Sequence, residues 1–341
     1  MAARTLTAPR GLWSLLPVLL AAFGGCGGES PAPDDPPAAV TAASGYPAAR
    51  ARAVAWLDNL SVDVAELREH GVAGIKKLAE ALEAYAILIR QADDPVERER
   101  FLARARALAA QTRDPAYHDL ANYDDVEFSE NSMSYFRVAW LMDELGLDTT
   151  GYREQLERNR PRMDAHMPER GAWQRRMFAR FYDHFGLEKP GELILTKSRN
   201  SILTRRVPLA DLQPNDGYDL THEVFEAFDY GRSPTQSTLS DEDIAYLHRV
   251  LPDLAEKCMT IGFADLLAEI VSSMLYLGWS DEDVTRRSID YLLATQNADG
   301  TWGDYEVLRP KYGAYVDQHA TLHTVQVVLA ALEYANGSTS R

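Results

Sequence analysis

Histidine and carboxylate recur together in the carboxy-terminal part of the chain. His222, Glu226 and Asp229 are spaced i, i+4, i+7. Asp265, Glu269 and Ser272 repeat the spacing, and so do His319, His323 and Gln326. In an α-helix that spacing draws one stripe down one face. Glu223 stands beside the first stripe. His319 and His323 lie one turn apart, a separation at which two imidazoles can bind one Zn²⁺ or other divalent ion. Asp265, Glu269 or Glu223 would complete such a shell or act as a general base. Histidine beside an acid also builds a proton-transfer site for neutral pH without any metal. The expected catalytic residues are therefore His222, Glu223, Asp265 and Glu269. The expected metal ligands are His319 and His323, and the cofactor that pattern implies is a divalent metal such as zinc. The solvated face of an amphipathic helix has the same spacing, and no HExxH signature accompanies it here.

Such stripes need helices to carry them, and from Tyr46 onward nearly every segment has helical periodicity. The pattern predicts helices over 46–60, 70–92, 95–112, 128–145, 150–166, 170–185, 219–230, 241–250, 252–260, 263–277, 281–296 and 319–335. On 263–277 the apolar residues Phe263, Leu267, Ile270 and Met274 occupy the side opposite the polar stripe. Strand signals are confined to pieces such as Leu193-Ile194-Leu195, so the class is all-α. Four helices end in related ways, at Gly146, Gly186, Gly231 and Gly278, separated by 40, 45 and 47 residues. Each glycine is placed as a left-handed helix cap. The runs Ser240-Asp-Glu-Asp-Ile and Ser280-Asp-Glu-Asp-Val lie 40 residues apart, and both read as N-caps followed by acids in the first turn. A period in the forties holds one helical hairpin. Stacked hairpins of that length form either an open α-solenoid or a closed α/α toroid.

The stretch Ser288–Tyr334 adds a motif. Ile289, Leu292 and Leu293 close a helix at Gln296, the turn Asn297-Ala298-Asp299-Gly300 follows, and Trp302 offers a large ring to pack beside it. Val325, Val328, Leu329 and Leu332 face the core from the next helix. The pattern Gln296-x-x-Asp299-Gly300-x-Trp302-Gly303 resembles the glutamine–tryptophan motif of the terpenoid-cyclase and prenyltransferase superfamily. That resemblance covers about 45 residues and implies a toroid in which Gln296, Asp299, Gly300 and Trp302 are scaffold. It does not extend to the chemistry of those enzymes. Asp124-Asp125-x-Glu127 has its last acid misplaced for an aspartate-rich motif. Asn215-Asp216 with Glu223 has Asp219 where Ser or Thr belongs, and Pro214 and Gly217 argue against a continuous helix there. Asp-x-Asp-Asp is absent. Cys258 lacks the Asp-x-Cys of zinc prenyltransferases and reads as a buried thiol.

The amino terminus carries an address. Arg4 and Arg10 precede an apolar run from Leu12 to Phe23, too short to span a membrane comfortably, and Gly24-Gly25-Cys26 follows. This resembles the lipobox of bacterial lipoproteins, with Phe23 where that family prefers Leu. The resemblance implies a signal peptide over 1–25 and lipidation at Cys26. Residues 26–47, rich in Pro and Ala, read as a flexible tether ahead of a helical domain over 48–341. Only Cys26 and Cys258 are present, so a lipidated Cys26 leaves no internal disulfide. Loss of residues 1–25 removes two arginines and no acid, moving the net charge from −16 to −18. An acidic surface of this kind repels nucleic acid and anionic headgroups. Apolar content of 46% supports a full core, and a mean hydropathy of −0.30 argues against a multispanning protein. Arg175, Arg176 and Arg180 read as a solvated or ion-paired face.

Taken together, these features describe an exported protein, held by lipid on the periplasmic or extracellular face of a bacterial envelope. It is expected to be an enzyme or binding protein acting on an extracytoplasmic glycan, peptide or other small ligand. The rival expectation is a helical-repeat interaction module with a protein partner. Terpenoid chemistry ranks below both.

Overall fold

The computed structural model describes residues 42–339 apart from 71, 112, 195–200, 214, 234–237, 307–308 and 313. Cys26, the signal segment and most of the tether lie outside the described residues. The long helices are α1 (Ala42–Asp58), α2 (Val64–His70), α3 (Val72–Gln91), α4 (Pro95–Gln111), α5 (Asp125–Glu144), α6 (Thr150–His166) and α7 (Ala172–Phe185). They continue with α8 (Asp216–Ala227), α9 (Asp241–Ile261), α10 (Ala264–Tyr276), α11 (Asp283–Ala294) and α12 (Ala314–Thr339). Among the described residues there is no strand, and the chain is all-α. Among them too, no helix is long and apolar enough to cross a membrane.

Six of these helices touch in a closed order: α3 packs on α5, α5 on α7, α7 on α8, α8 on α10, α10 on α12, and α12 returns to α3. The others lie against members of this circuit, with α4 on α3, α6 on α5, α9 on α10, and α11 on both α10 and α12. Helix α3 is enclosed over most of its length, with Lys76, Ile89, Arg90 and Gln91 partly exposed. Its apolar residues Ile75, Leu78, Ala79, Leu82 and Tyr85 are buried, and so are Lys77, Glu80 and Glu83 between them. Charges buried in this way can be held only against partners inside the protein.

The Gln296–Trp302 turn is structural. Trp302 is fully buried and its Nε1 donates to the Leu292 carbonyl at 2.6 Å. A buried ring of that size typically contributes about 3–5 kcal/mol when measured by truncation to alanine. Gln296 Nε2 donates to the Ala49 and Gly300 carbonyls at 2.9 and 3.0 Å, and Arg52 Nη2 donates to Gln296 Oε1 at 2.5 Å. Asp299 Oδ1 accepts from the Thr301 N–H at 3.0 Å, closing the turn. Gly300 has φ +96°, and a Cβ there would meet the Arg52 carbonyl oxygen at 2.3 Å. The motif thus fastens the end of the chain to α1 at its beginning.

Several expectations change in detail. Helix α1 begins at Ala42 and includes Pro47, so residues 42–47, expected as tether, are helical. Residues 241–250 and 252–260 form one helix through Pro252. Gly191–Ile194 is a helical turn where Leu193 and Ile194 had suggested strand. The four repeat glycines all take positive φ; Gly146, Gly186 and Gly278 follow closely on their helices, whereas α8 is closed by Asp229 and Tyr230, at φ +51° and +50°, ahead of Gly231. Ser240 caps α9 through a reciprocal bond with Asp243, whereas α11 starts three residues after Ser280 with Glu282 at its cap. Helix α8 starts at Asp216 and takes in Gly217, whose bare Cα admits Leu266; a Cβ would come within 2.9 Å of it.

Candidate functional site

Where α8, α10 and α12 adjoin, their polar stripes meet. Asp265 occupies the first turn of α10, where the helix dipole favours an anion. Both its oxygens are occupied: Oδ1 accepts from Tyr218 at 2.7 Å, and Oδ2 accepts from His323 Nδ1 at 2.7 Å and Thr324 Oγ1 at 2.8 Å. Tyr305 supports Thr324 from behind at 2.8 Å. With Nδ1 of His323 held in this way, its Nε2 is directed at Glu269 Oε1, 3.8 Å away.

Glu269, one turn along α10, is buried, and its Oε2 lies 2.5 Å from Thr221 Oγ1. That hydroxyl is also 3.0 Å from the Tyr218 carbonyl. Thr221 Oγ1 donates to Glu269 Oε2, so a proton held by Glu269 sits on Oε1, on the side of His323. His222 Nδ1 donates to the same carbonyl at 2.7 Å and approaches Glu269 Oε2 at 3.6 Å, while its ring lies 4.4 Å from that of Trp173.

Burial and pairing drive these groups apart in acidity. Burial pushes Glu269 up to about 8, with the Asp265 charge adding to the rise and His323 opposing it. Burial works against a charged His323, but the Asp265 carboxylate prevails and raises it to about 9. Asp265 resists the upward pull of burial through His323 and stays below the usual carboxylate range. Burial lowers His222 to about 4. Near neutrality the cluster therefore holds an imidazolium–carboxylate pair beside a carboxylic acid and a neutral imidazole. Pairs of titratable groups separated in this way mark acid–base assignments. The side chains of His323 and His222 retain 22% and 15% exposure, so the cluster reaches solvent on one side.

The expected site is partly assembled and partly divided. Asp265, Glu269 and His323 each place a metal-capable atom within 4.8 Å of the other two, and His222 adjoins them. His319 does not join this group among the described residues. Helix α12 lies between α10 and α3, and its two histidines divide between those neighbours, His323 toward Asp265 and His319 toward Glu80 at 3.1 Å. Glu223 is also separate. It follows His222 by about 100° around the helix, and its oxygens accept from Ser201 Oγ and from the Ile202 and Leu203 amides at 2.5–3.3 Å. It therefore anchors the short helix Ile202–Arg205. Glu226 and Asp229, the rest of the first stripe, pair with Arg180.

Sequence reasoning missed Tyr218, Thr221 and Thr324, which fix the acids, and Glu80 and Lys76 of α3. Glu80 had no local signal, because α3 reads in sequence as an ordinary amphipathic helix. Of the sequences set aside, Asp124 and Glu127 form a reciprocal cap on α5. Cys258 is a buried thiol pushed up to about 12 by its apolar surroundings.

Fold and site together define an all-α protein with a buried histidine–carboxylate cluster between neighbouring helices. The chain belongs to the DUF6895 family, a domain of unknown function whose model matches residues 46–331. No curated protein and no solved structure matches it.

Proposed function

We propose that this protein is an enzyme of the cell envelope that carries out proton transfer on a polar ligand, a glycan or a peptide, within a closed α/α helical ring. The closed packing order of α3, α5, α7, α8, α10 and α12 supports the toroid over the open solenoid. The observation that carries the catalytic reading is the facing pair, Glu269 Oε1 and His323 Nε2, 3.8 Å apart. Each is held from behind, Glu269 by Thr221 and His323 by Asp265. A ligand oxygen at about 2.8 Å from both atoms would see them at roughly a right angle. Glu269 then serves as the general acid, and its conjugate base takes the proton back. His323, with Asp265 fixing its tautomer, stabilises charge developing on the ligand. His222 and Trp173 form a flat wall beside this point.

Location enters the same proposal through Cys26. Radiolabelled palmitate should enter the wild type and not Cys26→Ser; equal incorporation would remove the lipid anchor. The catalytic reading is tested by incubating the full chain with peptidoglycan digests, oligosaccharides and peptide pools and following products by mass spectrometry. Turnover by the wild type that is lost in Glu269→Gln is the expected result. Turnover of neither class, or turnover unchanged in the variant, would favour the tethered interaction module.

A further inference from the structure

Of the two imidazoles beside Glu269, one gives hydrogen bonds and the other can only receive them. His323 Nδ1 is held by Asp265, and its charged ring presents Nε2–H toward Glu269. His222 is fixed the opposite way. Its Nδ1 lies 2.7 Å from the Tyr218 carbonyl, an acceptor with no hydrogen of its own, so Nδ1 carries the proton. Burial keeps the ring neutral, and in a neutral imidazole the other nitrogen is then a bare lone pair. Neighbouring rings hold this orientation. Trp173 lies against His222 at 4.4 Å and Phe225 at 5.7 Å, and Trp173 is itself held by its Nε1–H bond to Asp219 at 2.9 Å. Among the described residues nothing donates to His222 Nε2, and the atom is open to solvent rather than sealed.

A bare acceptor beside a proton-transfer pair dictates what the ligand must bring. In the proposed reaction Glu269 Oε1 and His323 Nε2 both donate to one ligand oxygen. His222 adjoins the same carboxyl group, with its Nδ1 3.6 Å from Oε2. A ligand therefore meets two donors and one acceptor within the span of a small molecule. We propose that His222 is a specificity-determining residue of this centre: its Nε2 accepts a hydrogen bond from a ligand hydroxyl next to the reacting oxygen, and the ligand is a saccharide. The inference rests on the proton-transfer reading of Glu269 and His323. A saccharide carries a hydroxyl on the carbon beside its bridging oxygen, so it offers acceptor and donor side by side. A peptide does not. Its bond is planar and trans, so a carbonyl taken by Glu269 and His323 turns the N–H of the same amide away from them. A site built to bond a hydroxyl discriminates strongly against a ligand without one, because its own polar atom is left unpaired.

The test uses the full chain carrying nitrogen-labelled histidine, with chitotetraose, cellotetraose and tetra-alanine as probes. In the free protein the NMR signals of His222 should show a protonated Nδ1 and a bare Nε2. At least one of the saccharides should bind and move the Nε2 signal toward the hydrogen-bonded range. Tetra-alanine and the permethylated saccharides should leave it in place. His222→Phe keeps a flat ring and loses the acceptor, so it should weaken saccharide binding about tenfold or more. His222→Asn, which keeps an acceptor oxygen, should recover part of the loss. Should His222→Phe fail to fold, the tautomer and the signal shift of the wild type decide the matter. Glu269→Gln should bind saccharide about as tightly as the wild type and turn none over, so binding and turnover are read separately. Saccharide binding without turnover by the wild type would end the proton-transfer reading and leave the acceptor site standing. A proton on Nε2 in the free protein, tighter binding of tetra-alanine, binding of neither saccharide, or equal affinity in His222→Phe would overturn the assignment.

Discussion

Two regions of the helical circuit hold buried carboxylates in opposite ways. Along α3 and α8, Glu83 pairs with Arg137 of α5, and Glu226 with Arg180 of α7. Along α10, Asp265 and Glu269 meet hydroxyls and imidazoles instead. An arginine stays charged through any accessible pH, so the carboxylate opposite it is held in place as a strut, with its ionised form favoured by the pair. A histidine or a hydroxyl leaves the proton shared and movable. Two neighbouring residues of the first stripe, His222 and Glu226, thus belong to different machinery although they occupy one face of one helix.

The largest expected effect comes from breaking a strut. Arg137→Met strands Glu83, which is 8% exposed, as an unpaired buried charge, at a cost of about 3–5 kcal/mol. Denaturant unfolding measures it. Replacing Glu83 by Leu in the same chain should restore most of the loss, because the pair contributes less than the stranded charge costs. A double variant as unstable as the single would show that the arginine also organises the site.

Next in size is the pH response of the other region. Glu269 keeps its proton in the folded state up to about 8, whereas the unfolded chain releases it near the ordinary 4.5. The folded state therefore binds more protons across that window. Its contribution to stability falls as pH rises, at up to about 1.4 kcal/mol per pH unit. His323, raised to about 9, stabilises fully below 6.5 and loses that contribution between 6.5 and 9. Glu269→Gln should abolish the first decline and leave the second. Unfolding free energies from pH 5 to 8.5 should show wild type and variant differing in slope from about pH 5 to 7.5, and converging in slope above about 8. Parallel curves would mean that Glu269 is ionised at neutral pH.

A smaller change separates the hydroxyl from the acid it supports. Thr221→Val leaves Glu269 Oε2 without its donor and should cost about 1–3 kcal/mol, the penalty for an unsatisfied buried polar group. Thr221→Ser should recover it. A cost below about 0.5 kcal/mol in a thermal melt would mean that Glu269 Oε2 finds another donor.

The helices were legible because amphipathic periodicity and glycine caps are local signals. The meeting of Asp265, Glu269 and His323 was legible for the same reason, since each stripe can be drawn on its own helix. Glu80 was not, because α3 reads locally as an ordinary amphipathic helix and only its enclosure by α5 and α12 removes the solvent. Glu223 was included through sequence adjacency to His222, although neighbours in a helix face different directions. The paired Ser-Asp-Glu-Asp runs looked equivalent, yet only Ser240 forms the cap. Its Asp243 returns the bond, while the chain before α11 turns through Trp279–Glu282 first.

The smallest effect lies at the rim of the arginine region and tests how far the strut extends. Arg180 contacts both Glu226 and Asp229, but Glu226 is buried and one-third of the Asp229 side chain is exposed. An exposed pair is screened by water and salt and contributes about 0–1 kcal/mol. Asp229 also has φ +51°, a left-handed conformation that Asn adopts as readily as Asp. Asp229→Asn therefore removes the charge and leaves the backbone unstrained. We expect a loss below about 1 kcal/mol that shrinks further at high salt. Glu226, pushed up to about 7 by burial despite Arg180, should keep the arginine in place. A loss of several kcal/mol, insensitive to salt, would move the desolvated part of the strut out to Asp229 and make the first stripe a single ion-pair network beyond His222.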